Sequence, residues 1–328
     1  MIDFEWVEPH NLESLAETLA LDGAHSVLLA GGTDLLDRLK ERLIEPRKVV
    51  NLKGIEAMRG IRWGEVVDIG ALTCIADLAA DERLARELPL LAQAAATIAT
   101  PQLRNMGTLG GNVCQRPRCW YFRDAQHPCL KKGGNHCYAR VGVGRSHAIL
   151  GGGPCWAVHP SDAAPALVVL GAQLVVAGPS GSRQVPIAEF FQLPRQDATR
   201  ENTLGPGEVV TRIRVPKPPR GSRAAYRKFR TKQSLDFAQS SVAVLLAMEG
   251  ERVERARLVL GGVAPVPWRV PAAEEALAGQ PLSAEAIARA AAACVAEARP
   301  LPDSRYKVRL TQGLVQRALE DLAAGTSP

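Results

Sequence analysis

Five of the seven cysteines fall between positions 114 and 155: Cys114, Cys119, Cys129, Cys137 and Cys155. Their surroundings are polar and broken by proline, as in Cys114-Gln-Arg-Pro-Arg-Cys119, Pro128-Cys129, His136-Cys137 and Gly153-Pro154-Cys155. A free cysteine ordinarily packs as a small hydrophobe, and such a loop has no core to fill. Thiolates gathered there hold a metal or a disulfide. The N-terminus, Met-Ile-Asp-Phe-Glu-Trp, has no basic stretch followed by an apolar one, so no signal peptide is expected. The chain is therefore assigned to the cytoplasm unless a partner carries it to the periplasm. Disulfides are disfavoured in a reducing compartment, and an odd count leaves one thiol over. Metal is the better reading.

The spacing refines the choice of metal. Cys119, Cys129, Cys137 and Cys155 are separated by nine, seven and seventeen residues. Structural zinc favours close knuckles of the C-x₂₋₄-C kind, and these four form none. Only Cys114 and Cys119, with four residues between them, reach the outer limit. An iron–sulfur cluster is larger than one ion and is also held by four cysteines, which suits ligands scattered along an irregular loop. Cys74 and Cys294 lie in Thr-Cys-Ile-Ala and Ala-Ala-Ala-Cys-Val-Ala and read as packing residues.

Charge points to the same segment. The chain carries a net +6, and residues 114–147 hold seven basic side chains against Asp124 alone, which is the entire excess. A nucleic-acid surface would add a recognition fold or interleaved aromatics. Here only Trp120, Tyr121 and Phe122 qualify, in one block, so no nucleic-acid partner is expected. Cations around an anionic thiolate group are the simpler account, since they depress thiol pKa values.

Two glycine-dense loops carry the second chemistry. Gly31-Gly32-Thr33-Asp34 sits between a strand pattern and a helix start, where backbone N–H groups can approach phosphate. Arg104-Asn105-Met106-Gly107-Thr108-Leu109-Gly110-Gly111-Asn112 follows a helical stretch. Either loop alone is a weak signal. Together they suit a dinucleotide clamp, and His159-Pro160-Ser161-Asp162 adds a hydroxyl and a carboxylate for ribose or ribityl hydroxyls. Neither G-x-G-x-x-G nor a Walker loop occurs, and no G-x-S-x-G elbow supports a hydrolase.

The elements that must position these groups are α+β in kind. With 328 residues, 46% hydrophobic and 23% charged, the chain suits a globular protein of about two or three domains. No apolar run of about 18 residues marks a membrane span. Asn11 is placed as the cap of a helix with Leu12, Leu15 and Leu19 on its apolar side. Strands are expected at 26–30, 48–52 and 66–70, a short helix at 35–41, and an Ala/Leu-rich helical stretch capped by Thr73 and running to about Thr97. Residues 100–165 show little periodicity. Strands resume at 173–177 and 208–215, a linker lies at 216–222, and three strands (224–229, 241–248, 253–263) precede helices at 272–278, 284–298 and 304–323. Ser283 and Asp303 are the expected caps of the last two.

Ala30-Gly-Gly-Thr-Asp-Leu35, the Arg-Asn-x-x-Thr-x-Gly-Gly-Asn loop at 104–112, Pro160-Ser-Asp162 and Tyr226-Arg-Lys228…Asp236-Phe-Ala238 resemble the FAD-binding subunit of the xanthine dehydrogenase and carbon monoxide dehydrogenase family. The resemblance covers nearly the whole chain. It implies a two-subdomain FAD-binding fold of the vanillyl-alcohol-oxidase (PCMH) type, with residues 1–57 and 58–217 as the subdomains. A C-terminal α+β domain of the CO dehydrogenase flavoprotein type would follow at 222–328. Arg118-Cys119-x-Tyr-Phe-x-Asp124, Cys129-x-Lys-x-x-Gly-x-x-Cys137 and Cys155-x-Ala-Val-His-Pro-Ser-Asp162 resemble the flavin subunit of bacterial periplasmic-type molybdenum aldehyde oxidoreductases. That subunit carries an extra [4Fe–4S] cluster, as 4-hydroxybenzoyl-CoA reductase also does, here in a loop of about 114–158.

Carried across, the resemblance implies Cys119, Cys129, Cys137 and Cys155 as cluster ligands and leaves Cys114 a bystander. Leu29, Ala30, Gly31, Gly32, Thr33 and Asp34 would wrap the FAD pyrophosphate, and Thr108, Gly111, Asn112 and Gln115 would close over the cofactor. Ser161 and Asp162 would take hydroxyl groups, and Lys228 would approach the flavin ring. Many relatives carry Arg four residues after that lysine, where this chain has Lys232. The implied activity is electron transfer from a [2Fe–2S] small subunit to an external acceptor, beside a large subunit with the molybdenum cofactor. The assembly would be a heterotrimer or a dimer of heterotrimers, away from membranes and nucleic acid. Two other readings are a stand-alone FAD oxidase with a structural zinc loop and a zinc module contacting nucleic acid.

Overall fold

A computed structural model describes residues 3–232 and 235–325. Residues 1–2 and 326–328, at the ends of the expected first and last domains, lie outside the described residues, as do residues 233–234 inside the 226–238 segment. Strands β1 (Glu5–Val7), β2 (Ser26–Leu29) and β3 (Lys48–Asn51) form a parallel sheet in the order β1-β3-β2. Asn11 caps helix Leu12–Asp22 through a reciprocal box: its Oδ1 accepts from Ser14 N at 2.8 Å, and Ser14 Oγ accepts from Asn11 N at 3.3 Å. A cap of this kind is worth about 1 kcal/mol. Leu15 and Leu19, four apart, share the buried face, whereas Leu12 stays exposed.

Strands β4 (Ile61–Arg62), β5 (Val66–Gly70), β6 (Gln173–Gly178), β7 (Gly181–Pro186) and β8 (Val209–Pro216) make an antiparallel sheet in the order β4-β5-β8-β6-β7. Between β5 and β6 the chain makes the long excursion that carries both chemical segments. The expected helix from Thr73 to Thr97 is three helices, Ile75–Ala80, Glu82–Glu87 and Pro89–Thr97. Asp81 adopts an extended conformation and caps the second by accepting from Leu84 N at 2.8 Å. Pro89 opens the third, where its missing N–H costs nothing. Thr73 caps none of them. Its hydroxyl donates to Gly60 O at 3.2 Å, and Cys74 holds the N-cap position.

Residues 100–165 also hold short helices, Pro101–Met106, Leu109–Cys114 and Trp120–Arg123, and helix Ala163–Leu170 begins at their end. None is long enough to display a helical period. Glycines expected in a loop, Gly110 and Gly111, lie inside Leu109–Cys114.

Strands β9 (Arg223–Phe229), β10 (Ser240–Glu249), β11 (Arg252–Gly261) and β12 (Trp268–Arg269) form the last sheet, ordered β12-β11-β10-β9 and antiparallel. Strand β10 reads as a continuous apolar run because both its faces are covered. Ala243 and Leu245 join the main core with Leu78, Leu91 and Leu167, whereas Val242, Val244 and Leu246 enter a second core with Ile287, Val315 and Leu319. Alternate residues of a strand point to opposite faces, so this sheet divides two cores. Ser283 caps helix Ala284–Ala293 by accepting from Ala286 N at 3.3 Å.

Asp303 does not cap helix Tyr306–Ala323; its carboxylate accepts from Gly144 N at 3.1 Å. Lys307 of the same helix is fully buried and donates to Gly262 O at 2.6 Å, His147 O at 3.1 Å and Ser146 O at 3.5 Å. The C-terminal helix thus grips the cysteine segment. Lys307→Met would leave those carbonyls buried without donors, at about 1–3 kcal/mol for an unsatisfied group. We expect the variant to unfold at lower urea than wild type, and an unchanged midpoint would show that the lysine does not tie the parts together.

Candidate functional site

The two glycine-dense segments meet backbone to backbone. A Cβ on Gly31 would lie 1.8 Å from Met106 O, so only glycine fits there. The second segment is stitched to the turn after β5, with Ile75 N donating to Gly107 O at 2.9 Å and Leu109 N to Thr73 O at 3.0 Å. Thr108 Oγ1 accepts from Gly111 N at 3.2 Å, and Gln115 Nε2 donates to Asn112 O at 2.8 Å. Between the segments opens a cleft of about 300 Å³. Ala30 through Asp34, Thr108, Gly111, Asn112, Gln115, Asp162 and Lys228 all line it.

Leu29 and Ser161 stand behind that lining. Leu29 packs with Leu35, Leu39 and Val49 in a small core. Ser161 Oγ donates to Asn112 Oδ1 at 2.6 Å and accepts from Ala164 N at 3.0 Å, so it orients a lining side chain. Sequence reasoning missed Arg38, Ile98, Ala99 and Leu235, which also border the cleft. Arg38 follows Asp34 by four residues on a helix, a spacing that would have placed both on one face.

At the back of the cleft lies a buried ion pair. Lys228 Nζ is 2.7 Å from Asp162 Oδ2, with side chains 2% and 4% exposed. Tyr226 donates its hydroxyl to the other carboxylate oxygen at 2.9 Å, and Lys228 also donates to Thr97 O at 3.1 Å. Burial first, and the Asp162 charge second, push the Tyr226 hydroxyl well above its ordinary pKa.

Asp34 faces the cysteine segment. Arg118 Nη1 lies 2.6 Å and Arg123 Nη2 2.5 Å from its Oδ1, and Arg116 N donates to its Oδ2 at 3.2 Å. Burial alone would raise this carboxyl, but the two guanidinium groups hold it below the usual range. Arg116 and Lys131 pair with Glu201 at 2.6 and 2.7 Å, and Arg123 reaches Asp37 at 3.1 Å. The local positive excess is therefore answered by Asp34, Asp37 and Glu201, which lie outside the segment in sequence. The cations do not simply surround the thiols.

Cys119, Cys129, Cys137 and Cys155 line one small cavity with Tyr121, Phe122, Leu130, Lys131, Tyr138 and Ala157. The Cys155 thiol hydrogen-bonds to Cys137 and, with backbone N–H groups of Trp156, Ala139 and Arg140, holds Cys137 down to about 6; Cys155 is pushed up by the same bond and by burial. The Tyr121 and Tyr138 rings stack at 5.8 Å beside them. His147 Nε2 lies 3.2 Å from Cys119 Sγ, a neighbour no sequence spacing announced. Cys114 lines the cleft instead, and burial pushes its thiol up to about 12. Cys74 pairs with Thr108 through an isolated bridge, and Cys294 is buried in the second core.

Four cysteines around one small cavity are the donor number that an iron–sulfur cluster takes. They come from four separate stretches of the chain to that one cavity. Among the described residues, no group of three or more His, Cys, Asp or Glu side chains is placed to hold a metal ion. A second cavity of about 270 Å³ adjoins both regions. It shares Arg118, Asp236 and Phe237 with the cleft and Cys119 with the thiol cavity.

Residues 2–218 match the family of the FAD-binding domain in molybdopterin dehydrogenase, and residues 224–322 match the CO dehydrogenase flavoprotein C-terminal domain. The chain belongs to the FAD-binding subunits of the molybdenum hydroxylase family, which are subunits of oxidoreductases. It is 36% identical over 304 residues to the aldehyde oxidoreductase FAD-binding subunit PaoB of Escherichia coli (strain K12), covering 90% of this chain and 91% of that one. It is 32% identical over 322 residues to the carbon monoxide dehydrogenase medium chain of Hydrogenophaga pseudoflava, with 96% of each chain covered. A solved structure of carbon monoxide dehydrogenase from Hydrogenophaga pseudoflava superposes with a TM-score of 0.79 over 99% of both chains, at 32% identity. The two-subdomain FAD-binding fold and its C-terminal flavoprotein domain stand as expected.

The Asp162–Lys228 pair is the site's most exposed weakness. Removing one partner of a buried pair typically costs about 3–5 kcal/mol, because the other charge stays buried unpaired. Lys228→Met should therefore lower the unfolding free energy by about that much, and Asp162→Asn added to it should recover part of the loss. Equal stability of the single variant and wild type in urea unfolding would show that the pair is not buried in solution.

Proposed function

We propose that this chain carries FAD and a [4Fe–4S] cluster and is the electron-transfer subunit of a molybdenum-dependent hydroxylase of the aldehyde oxidoreductase or xanthine dehydrogenase type. Electrons would arrive from a [2Fe–2S] partner and leave to an external acceptor through FAD. One observation carries the reading: Arg118 lines the dinucleotide cleft and its neighbour Cys119 lines the four-thiol cavity. The two sites are thus adjacent residue by residue. The names of the relatives, a FAD-binding subunit and a medium chain, support work inside a larger assembly, which in this reading holds a molybdenum subunit and a [2Fe–2S] subunit. No helix among the described residues is long and apolar enough to cross a membrane.

Bound FAD supplies the exchange between one-electron and two-electron transfer. Gly31 and Gly32 bring backbone close to the pyrophosphate, and Arg38 and Arg118 bring positive charge to the same cleft. Thr108, Gly111 and Gln115 form the facing wall. Asn112, oriented by Ser161, and Asp162 take hydroxyl groups. Lys228, fixed by Asp162 and Thr97 O, would bring its ammonium to the bound flavin. Cys119, Cys129, Cys137 and Cys155 would hold the cluster, beside the stacked Tyr121 and Tyr138 rings.

Iron and zinc analysis with an absorption spectrum tests the cluster. We expect flavin plus a broad iron–sulfur absorption in wild type, and loss of the latter where serine replaces a soft thiolate by a harder oxygen. Substituting Cys119, Cys129, Cys137 or Cys155 by Ser should remove iron, and Cys114→Ser should keep it. Zinc in place of iron would support a structural loop, and iron loss on Cys114→Ser alone would overturn the ligand set.

Flavin content tests the cleft. Gly32 has φ +76°, a conformation disfavoured for side chains with a Cβ, and a Cβ there would meet Leu36 Cδ1 at 3.0 Å. Gly32→Val should give folded protein depleted of flavin. Full flavin at unchanged affinity would move the pyrophosphate elsewhere.

A further inference from the structure

Of the four clustered cysteines, only Cys119 also lines the second cavity, the one that adjoins the dinucleotide cleft. Cys119 is thus the cysteine on the side of the proposed FAD cleft. Backbone N–H groups of Tyr121 and Phe122 reach it, and it has one side-chain partner, His147, whose Nε2 lies 3.2 Å away. That imidazole is 6% exposed and is braced through its own backbone. His147 N donates to Gly144 O at 3.0 Å, Ala148 N to Trp156 O at 2.8 Å, and the buried Lys307 donates to His147 O at 3.1 Å. These bonds fix the main chain that carries the ring, and the buried Nδ1 has no hydrogen-bond partner, so Cys119 is the polar contact that the ring makes.

We propose that His147 is a positioning residue of the thiol centre, donating an Nε2–H hydrogen bond to the Cys119 sulfur and thereby raising the reduction potential of the group those thiols hold. The proposal rests on the four-cysteine reading above. A metal-bound thiolate has no proton to give and can only accept, so the ring must carry its proton on Nε2. A donor to a ligating sulfur offsets negative charge on it and favours the more negative, reduced state of the centre. Lys307 acts one step further out, by holding the main chain that aims the ring. Because Cys119 faces the FAD side, the bond lies where the centre exchanges electrons with the flavin.

The test uses the full chain with His147→Phe, which keeps a ring without an N–H, and His147→Gln, which restores an amide donor. Iron and flavin content are measured first, and then the midpoint potential by redox titration followed by electron paramagnetic resonance. We expect His147→Phe to keep iron while its reduction equilibrium falls at least tenfold, about 59 mV for a one-electron couple. His147→Gln should recover most of that shift. Iron lost from His147→Phe but retained by His147→Gln also supports the hydrogen bond, as what holds Cys119 in place. An unmoved potential in iron-loaded His147→Phe, or iron lost equally from both variants, overturns the assignment. A wild-type chain without iron would instead remove the centre itself, and the proposal with it, so the two failures are distinguishable.

Discussion

Asp34 accepts from Arg118 and Arg123 at once, and through that carboxylate the cysteine segment is fastened to the glycine turn after β2. The arrangement is electrostatic and mostly buried, so neither partner can be lost without stranding the other. It sets the distance between the two chemical regions. Arg118 cannot lean on Asp34 without placing Cys119, the next residue, beside the cleft. Glu201 repeats the device from the other side, drawing in Arg116 and Lys131. Three acids contributed from elsewhere in the chain thus decide where a strongly basic, irregular loop lies.

The rest of the molecule serves that placement. The excursion between β5 and β6 is clamped at its start by the Gly31–Met106 backbone contact and at its end by helix Ala163–Leu170, which packs on β10 and β11. The last sheet contributes twice. One face completes the main core, and strand β9 sends Tyr226 and Lys228 to Asp162 at the back of the cleft. Helix Tyr306–Ala323 then holds residues 146–147 from the far side through Lys307. Each of these contacts removes a way for the thiols to move relative to the cleft.

Much of the fold was legible where local rules dominate. Asn11 and Ser283 could be read as caps because a side-chain oxygen needs only N–H groups three residues on. Three of the four strands of the last sheet were legible, and the two-residue β12 was not. Errors fell where a tertiary partner outbid a local one: Asp303 reads as a cap but serves Gly144, and Thr73 reads as a cap but serves Gly60. The short helices of residues 101–123 were invisible, because six residues or fewer cannot show a period.

The sequence by itself determined which residues bear chemistry. Cysteines in a loop without a core and glycines at strand-to-helix turns are anomalies of composition, visible without coordinates. Whether those residues come together was decided only by the tertiary structure. His147 lies 28 residues from Cys119 in the chain, and Lys228 lies 66 from Asp162, yet each pair is in contact. Such meetings depend on where whole sheets pack. Packing is settled by the summed burial of many side chains, so no local pattern announces it.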